Sequence, residues 1–178
     1  MKNRLKKLIS VFLCLVLLLS VTSSAFAKAK APQGPQGPKS FKDVQPGHWA
    51  YDAIVWMLDR NIIDGVGGNR FEPNATVTRS QFAKMMVNTL GLKLYQPETP
   101  SFLDVDRKSW AYPYVESAKA YLTGFKTASG HYFKPNLAAV REDMAVALVN
   151  AMGYQNETVD ESILDRFEDK NQISPNLR

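Results

Sequence analysis

The chain has 178 residues, 45% of them hydrophobic, with 22 Lys and Arg against 17 Asp and Glu and a formal charge of +5. A single cysteine excludes an internal disulfide framework and a cysteine-rich zinc site, and two histidines offer no metal-ligand spacing. The basic excess is concentrated near the N-terminus, so it does not describe a nucleic-acid surface.

Lys2, Arg4, Lys6 and Lys7 precede an apolar run over residues 8–19, and Ala25-Phe26-Ala27 then supplies small residues at alternate positions. A charged start, an apolar stretch short for a membrane span and an A-x-A site predict a secretory signal peptide over residues 1–27. Cys14 lies inside that apolar run, so cleavage would leave a chain with no thiol and no membrane anchor. It would also remove four basic residues and no acidic one, leaving 18 against 17, a net charge of +1. Residues 28–39 hold three prolines and two glycines with no apolar periodicity, the composition of an extended, solvated linker.

From Ser40 the chain repeats itself. Ser40-Phe41-Lys42-Asp43-Val44 recurs as Ser101-Phe102-Leu103-Asp104-Val105, and Trp49-Ala50-Tyr51 as Trp110-Ala111-Tyr112. Phe71-Glu72-Pro73-Asn74 recurs as Phe133-Lys134-Pro135-Asn136, and Val77-Thr78-Arg79 is matched by Ala139-Val140-Arg141. The copies span residues 40–92 and 101–154, with a spacer over 93–100. Residues 155–178 read as a linker and the start of a third copy, opening at Phe167-Glu168-Asp169 and expected to be truncated.

Each copy predicts helix, loop, helix. Trp49, Ala50, Ala53, Ile54, Met57 and Leu58 share one helical face in the first copy, with Asp52 and Asp59 away from it. Asp64-Gly65 and Gly67-Gly68 end that segment in a loop. Thr78 and Gln81 have capping-box spacing for the second helix, whose core-facing residues are expected to be Phe82, Met85, Met86, Thr89 and Leu90. In the second copy Pro113 suits only the first turn of a helix, the loop over residues 125–132 is longer, and Val140 deprives the last helix of a capping hydroxyl. Residues 71–73 and 133–135 read as short extended pieces that pin the loops. Two-helix units cannot bury both apolar faces alone, so stacking is expected, with self-association as one way to complete the third copy.

These motifs, twice in register, resemble the S-layer homology (SLH) domain. The resemblance implies a mainly α fold in which tandem helix-loop-helix repeats pack as a pseudo-threefold bundle. It further implies non-catalytic, non-covalent attachment of an exported protein to the bacterial cell wall or S-layer. The implied ligand is a secondary cell-wall polysaccharide carrying pyruvylated sugar, with no cofactor and no metal.

The family's helix-start arginine falls on Arg79 and Arg141, and its opening aspartate and tryptophan on Asp43 with Trp49 and Asp104 with Trp110. A pyruvyl carboxylate suits an arginine fork, assisted by open amides at a helix N-terminus near Thr78. Indoles offer platforms for sugar faces, and Gly65 and Gly67 would let backbone amides approach a ligand. Two readings stand for several of these residues. Trp49 and Trp110 serve either packing or sugar contact, and Asp43 and Asp104 either cap the following helix or accept from sugar hydroxyls. The rival classes are an S-layer subunit fragment and the N-terminal anchor of a glycoside hydrolase whose catalytic part is absent. A small hydrolase in its own right would need a defined carboxylate pair, and the acids here form no unique pair.

Overall fold

The structure, a computed structural model, describes residues 40–175. The signal peptide and the linker expected over residues 1–39 lie outside that range. The fold is mostly helical with one small sheet. Helices α1 (Tyr51–Asp59), α2 (Arg79–Leu90) and α3 (Tyr112–Ala118) precede strands β1 (Phe125–Thr127) and β2 (Gly130–Tyr132). Helix α4 (Arg141–Met152) follows, and 3-10 turns occupy Glu161–Arg166 and Lys170–Gln172.

Local chemistry sets the helix boundaries. Thr78 accepts from the Gln81 amide at 3.3 Å while the Gln81 side chain accepts from the Thr78 amide at 2.8 Å, the reciprocal box expected at the start of α2. Gly91 and Gly153 close α2 and α4 in left-handed geometry, with φ of 62° and 79°. Pro113 sits in the first turn of α3, where its missing N–H costs nothing, and Val140 leaves α4 without a side-chain cap.

Both copies use one scaffold. Asp43 accepts from the amides of Phe71 and Glu72 at 2.9 and 2.8 Å, and Asp104 from those of Phe133 and Lys134 at 2.8 and 2.7 Å. The two aspartates thus tie the opening segment to the Phe-x-Pro turn of their own copy; neither caps the following helix. Phe41 meets Phe71, and Phe102 meets Phe133, each pair with ring centroids 5.4 Å apart. Asn88 donates to the Ile62 carbonyl, and Asn150 to that of Tyr121.

Three expectations need correction. The segments at 71–73 and 133–135 are turns, with Glu72 and Lys134 in the left-handed region at φ of 60° and 57°. The double amide clamp from each aspartate holds that strained geometry. Residues 125–132 form an antiparallel hairpin, Phe125 opposite Tyr132 and Thr127 opposite Gly130, where a loop was expected. In α2 the buried residues include Ala83, Met86 and Val87, while Thr89 and Leu90 are exposed.

The apolar interior divides into three clusters. One is internal to the first copy: Phe41, Val44, Ile54, Ile62 and Ile63. The other two cross between copies. Ala83 joins Phe102, Val105, Ala111, Tyr112, Val115 and Phe133. Met86 and Val87 join Ala118 and Ala147, with Tyr114 and Tyr121 against them. Helix α2 therefore belongs to the second copy's core as much as to its own. Among the described residues of the third copy no buried cluster forms, and Phe167, the counterpart of buried Phe41 and Phe102, is exposed.

Candidate functional site

Arg79 and Arg141 occupy matching helix-start positions with opposite surroundings. Arg79 is 4% exposed. Its Nε donates to the Phe133 carbonyl at 2.7 Å, and one terminal nitrogen donates to the Thr123 carbonyl at 2.5 Å. The other terminal nitrogen pairs with the Asp143 carboxylate, which also accepts from the Thr123 hydroxyl at 2.5 Å. The guanidinium carbon lies 4.8 Å from the centroid of the Phe133 ring. Burial lowers the pKa of Arg79, and the neighbouring Asp143 opposes that shift. All these acceptors come from the second copy, so the guanidinium is a clasp between copies with its donors in use.

The amides at the start of α2 are occupied as well. Arg79 N–H donates to the Leu137 carbonyl at 2.9 Å and Ser80 N–H to that of Pro135 at 3.1 Å, while Thr78 takes the third. The open helix N-terminus expected beside Arg79 is therefore closed by the second copy's loop.

Arg141 is exposed, and among the described residues it makes no side-chain hydrogen bond or ion pair. The amides of Arg141, Glu142 and Asp143 likewise lack a partner among the described residues. Glu142 beside it accepts from the amide and hydroxyl of Ser174 at 2.9 and 3.0 Å, which pins the chain's last described turn against α4.

The tryptophans stand outside the core. Trp49 is 92% exposed and stacks beside the His48 ring, whereas Trp110 is 55% exposed and tilts against Tyr114. Helix α1 begins only at Tyr51, so Trp49 precedes the face on which periodicity alone would place it. Both indoles present an open aromatic surface.

The two loop glycines differ in kind. Gly67 has a φ of 104° with open space around its missing side chain, so the requirement there is conformational. At Gly65 a Cβ would lie 2.5 Å from the Phe41 ring and 2.6 Å from the Arg70 carbonyl oxygen. Gly124 repeats that close approach against Phe102. Gly65→Ala is expected to cost about 1–3 kcal/mol through forced displacement of Phe41; an unchanged urea midpoint would show that the loop absorbs the methyl group freely.

Among the described residues no group of three or more His, Cys, Asp or Glu side chains converges to hold a metal ion. The acids nearest Arg79, which are Asp143 and Asp104, serve hydrogen bonds already described.

Residues 40–83 match the family model of the S-layer homology domain. The chain is 31% identical over 157 residues to an endoglucanase of Bacillus sp. (strain KSM-635), covering 87% of this chain and 16% of that protein. An S-layer protein of Bacillus thuringiensis subsp. finitimus is 31% identical over 74% of this chain and 16% of its own length. An amylopullulanase of Thermoanaerobacterium thermosulfurigenes is 32% identical over 76% of this chain and 7% of its own. The chain thus spans a sixth or less of these relatives, whose names describe different tasks. Residues 40–83 thus carry an S-layer homology domain, set in the first of two copies of one scaffold, and the relatives named here match 74–87% of this chain.

Proposed function

We propose that this chain anchors an exported protein to the bacterial cell surface by binding a secondary cell-wall polysaccharide through its SLH repeats. One observation carries this reading: relatives with names as unlike as endoglucanase, amylopullulanase and S-layer protein each match this chain, which carries an SLH domain, over a sixth or less of their own length. A segment common to proteins of unlike chemistry supplies what they have in common, and location is the simplest such property. The repeats themselves are non-catalytic, and the cargo is either an S-layer protein or a glycoside hydrolase. The spatial arrangement we favour is a pseudo-threefold bundle, of which the two complete copies are successive sectors.

Geometry ranks the contacts. Arg141 combines an exposed guanidinium with helix-start amides that have no partner among the described residues, a pairing suited to the carboxylate of a pyruvylated sugar. Trp49 and Trp110 offer apolar platforms for sugar faces. Arg79, Asp43, Asp104, Thr78 and Gly65 hold these elements in place, and Gly67 keeps the first copy's loop in a shape that leaves its amides approachable.

The test is co-sedimentation of residues 28–178 with purified wall sacculi. Intact sacculi should pellet the protein, and sacculi stripped of their polysaccharide or of its pyruvyl groups should leave it in solution. Arg141→Ala should weaken pelleting roughly tenfold or more, the worth of a charge-assisted hydrogen bond pair. Equal pelleting by stripped sacculi would sink the carboxylate reading.

A further inference from the structure

The turn that leads into the first helix of each copy has one form and two sets of corners. Ser109 N–H donates to the Asp106 carbonyl at 2.9 Å, as His48 N–H does to that of Gln45 at 3.0 Å. In the first copy the corners are Pro46 and Gly47, and Gly47 takes a φ of 101°. In the second copy neither corner has a positive φ, and the Asp106 side chain accepts from the Lys108 amide at 2.7 Å. A turn held in that way accepts most residues at its corners. Those it carries are Arg107 and Lys108, both exposed, and neither side chain makes a hydrogen bond or ion pair among the described residues. Two adjacent like charges repel, and the turn requires neither.

Opposite the turn runs the spacer between the copies. Tyr112, which is buried, donates its hydroxyl to the Pro97 carbonyl at 2.7 Å, and Tyr95 N–H donates to the Ser117 hydroxyl at 2.7 Å, so α3 holds the spacer along its side. Between spacer and turn lies a cleft of about 520 Å³ lined by Gln96, Pro97, Asp106, Arg107, Lys108 and Tyr112. Burial raises the pKa of Tyr112 and the positive charge of Arg107 opposes that shift, as a guanidinium near the phenol must. The lining holds two cations and one carboxylate, a surplus of one positive charge. A planar carboxylate is satisfied by a single arginine fork, whereas the oxygens of a phosphate diverge and can meet an arginine and a lysine from two directions. A phosphodiester carries one negative charge, equal to the surplus, and a phosphomonoester approaches two. Gln96 and Asp106 add an amide and a carboxylate that suit hydroxyl groups.

We propose that this cleft is a second binding site, for a phosphodiester that joins hydroxyl-bearing units, with Arg107 and Lys108 on the phosphate and Gln96 and Asp106 on the flanking hydroxyls. The site is not part of the repeat. Its cations stand where the first copy has Pro46 and Gly47, and its far wall is the spacer. It uses neither Arg141 nor a pyruvyl carboxylate, so this site and the wall-binding reading can each fail alone.

Titration of residues 28–178, which contain all three apolar clusters, with glycerophosphoglycerol at physiological ionic strength tests this without wall material. Amide NMR shifts should be largest at Gln96 and residues 106–108 and saturate with a dissociation constant of about 1 mM or lower. Shifts that stay linear past about 10 mM, or that centre elsewhere, overturn the proposal. Arg107→Ala with Lys108→Ala should weaken binding roughly tenfold or more at unchanged circular dichroism. Lys126→Ala removes an exposed cation from β1 and should leave binding as it was; an equal loss there would reduce the effect to net charge and end the case for a site. Methyl glucuronide, which offers hydroxyls with a carboxylate, should bind several-fold more weakly, and equal binding overturns the phosphodiester assignment. Vesicles containing phosphatidylglycerol separate the sources of that chemistry: capture lost in the double variant assigns it to a lipid headgroup, and no capture assigns it to a polymer. Should the two alanines disturb the fold, Arg107→Gln with Lys108→Gln takes their place with the same expected loss.

Discussion

Replacing Arg79 with alanine is expected to cost about 3–5 kcal/mol of folding stability, the penalty for leaving a largely buried carboxylate without its cation. Asp143 would keep only the Thr123 hydroxyl, and the carbonyls of Thr123 and Phe133 would lose their charged donor. Arg141→Ala removes the same residue type from the matching position, yet its midpoint should move by less than about 0.5 kcal/mol, as for an ordinary surface site. Urea denaturation of the two variants makes the comparison directly. Equal losses, large or small, would mean that the clasp does not join the copies. Arg79→Lys should recover only a minor part, because one ammonium cannot reach acceptors arranged around a planar fork. In a cycle with Asp143→Ala, the second substitution should add little to the first.

Phe133→Ala should be about as damaging, at about 3–5 kcal/mol. Phe133 is 1% exposed, tilted against Phe102 on one side and close to the Arg79 guanidinium on another. Its counterpart Phe71 lies at the same centroid distance from Phe41 but is only half-buried, with no arginine over its ring among the described residues. Phe71→Ala should therefore cost distinctly less. Thermal or urea unfolding that ranked Phe71→Ala as the worse substitution would remove the case for the inter-copy cluster as the principal core.

What the sequence disclosed was mostly local. The Thr78–Gln81 box and the placement of Pro113 follow from spacing within one turn, and the structure contains both. The repeat itself was legible because its motifs recur in order. The fate of Arg79 was not, because its acceptors at Thr123, Phe133 and Asp143 lie in the next copy and helix-start arginine has no fixed partner in sequence. A clue was present: Asp143 stands where the first copy has Gln81, an acid introduced on the receiving side only. Trp49 was ambiguous for a different reason. Period alone assigns a face, but the start of α1 at Tyr51 decides whether a residue belongs to it. The hairpin escaped notice because three-residue strands carry too little alternation to register. Its signal was Gly130, whose φ of 132° follows the turn at Ala128 and Ser129.

The placement of α2 in the interior of its successor has a practical consequence for anyone who would transplant this module. The sequence repeats with one phase and the hydrophobic interior with another, so a cut at residue 92 separates Ala83, Met86 and Val87 from the side chains that cover them. A graft taken from Ser40 to Leu92 would carry a bare helix and an arginine without acceptors. One taken from Thr78 to Gly153 would keep the guanidinium, its receivers and two apolar clusters together. The transferable unit straddles the boundary that the eye draws between motifs, and the array has a direction: arginine is donated forward along the chain.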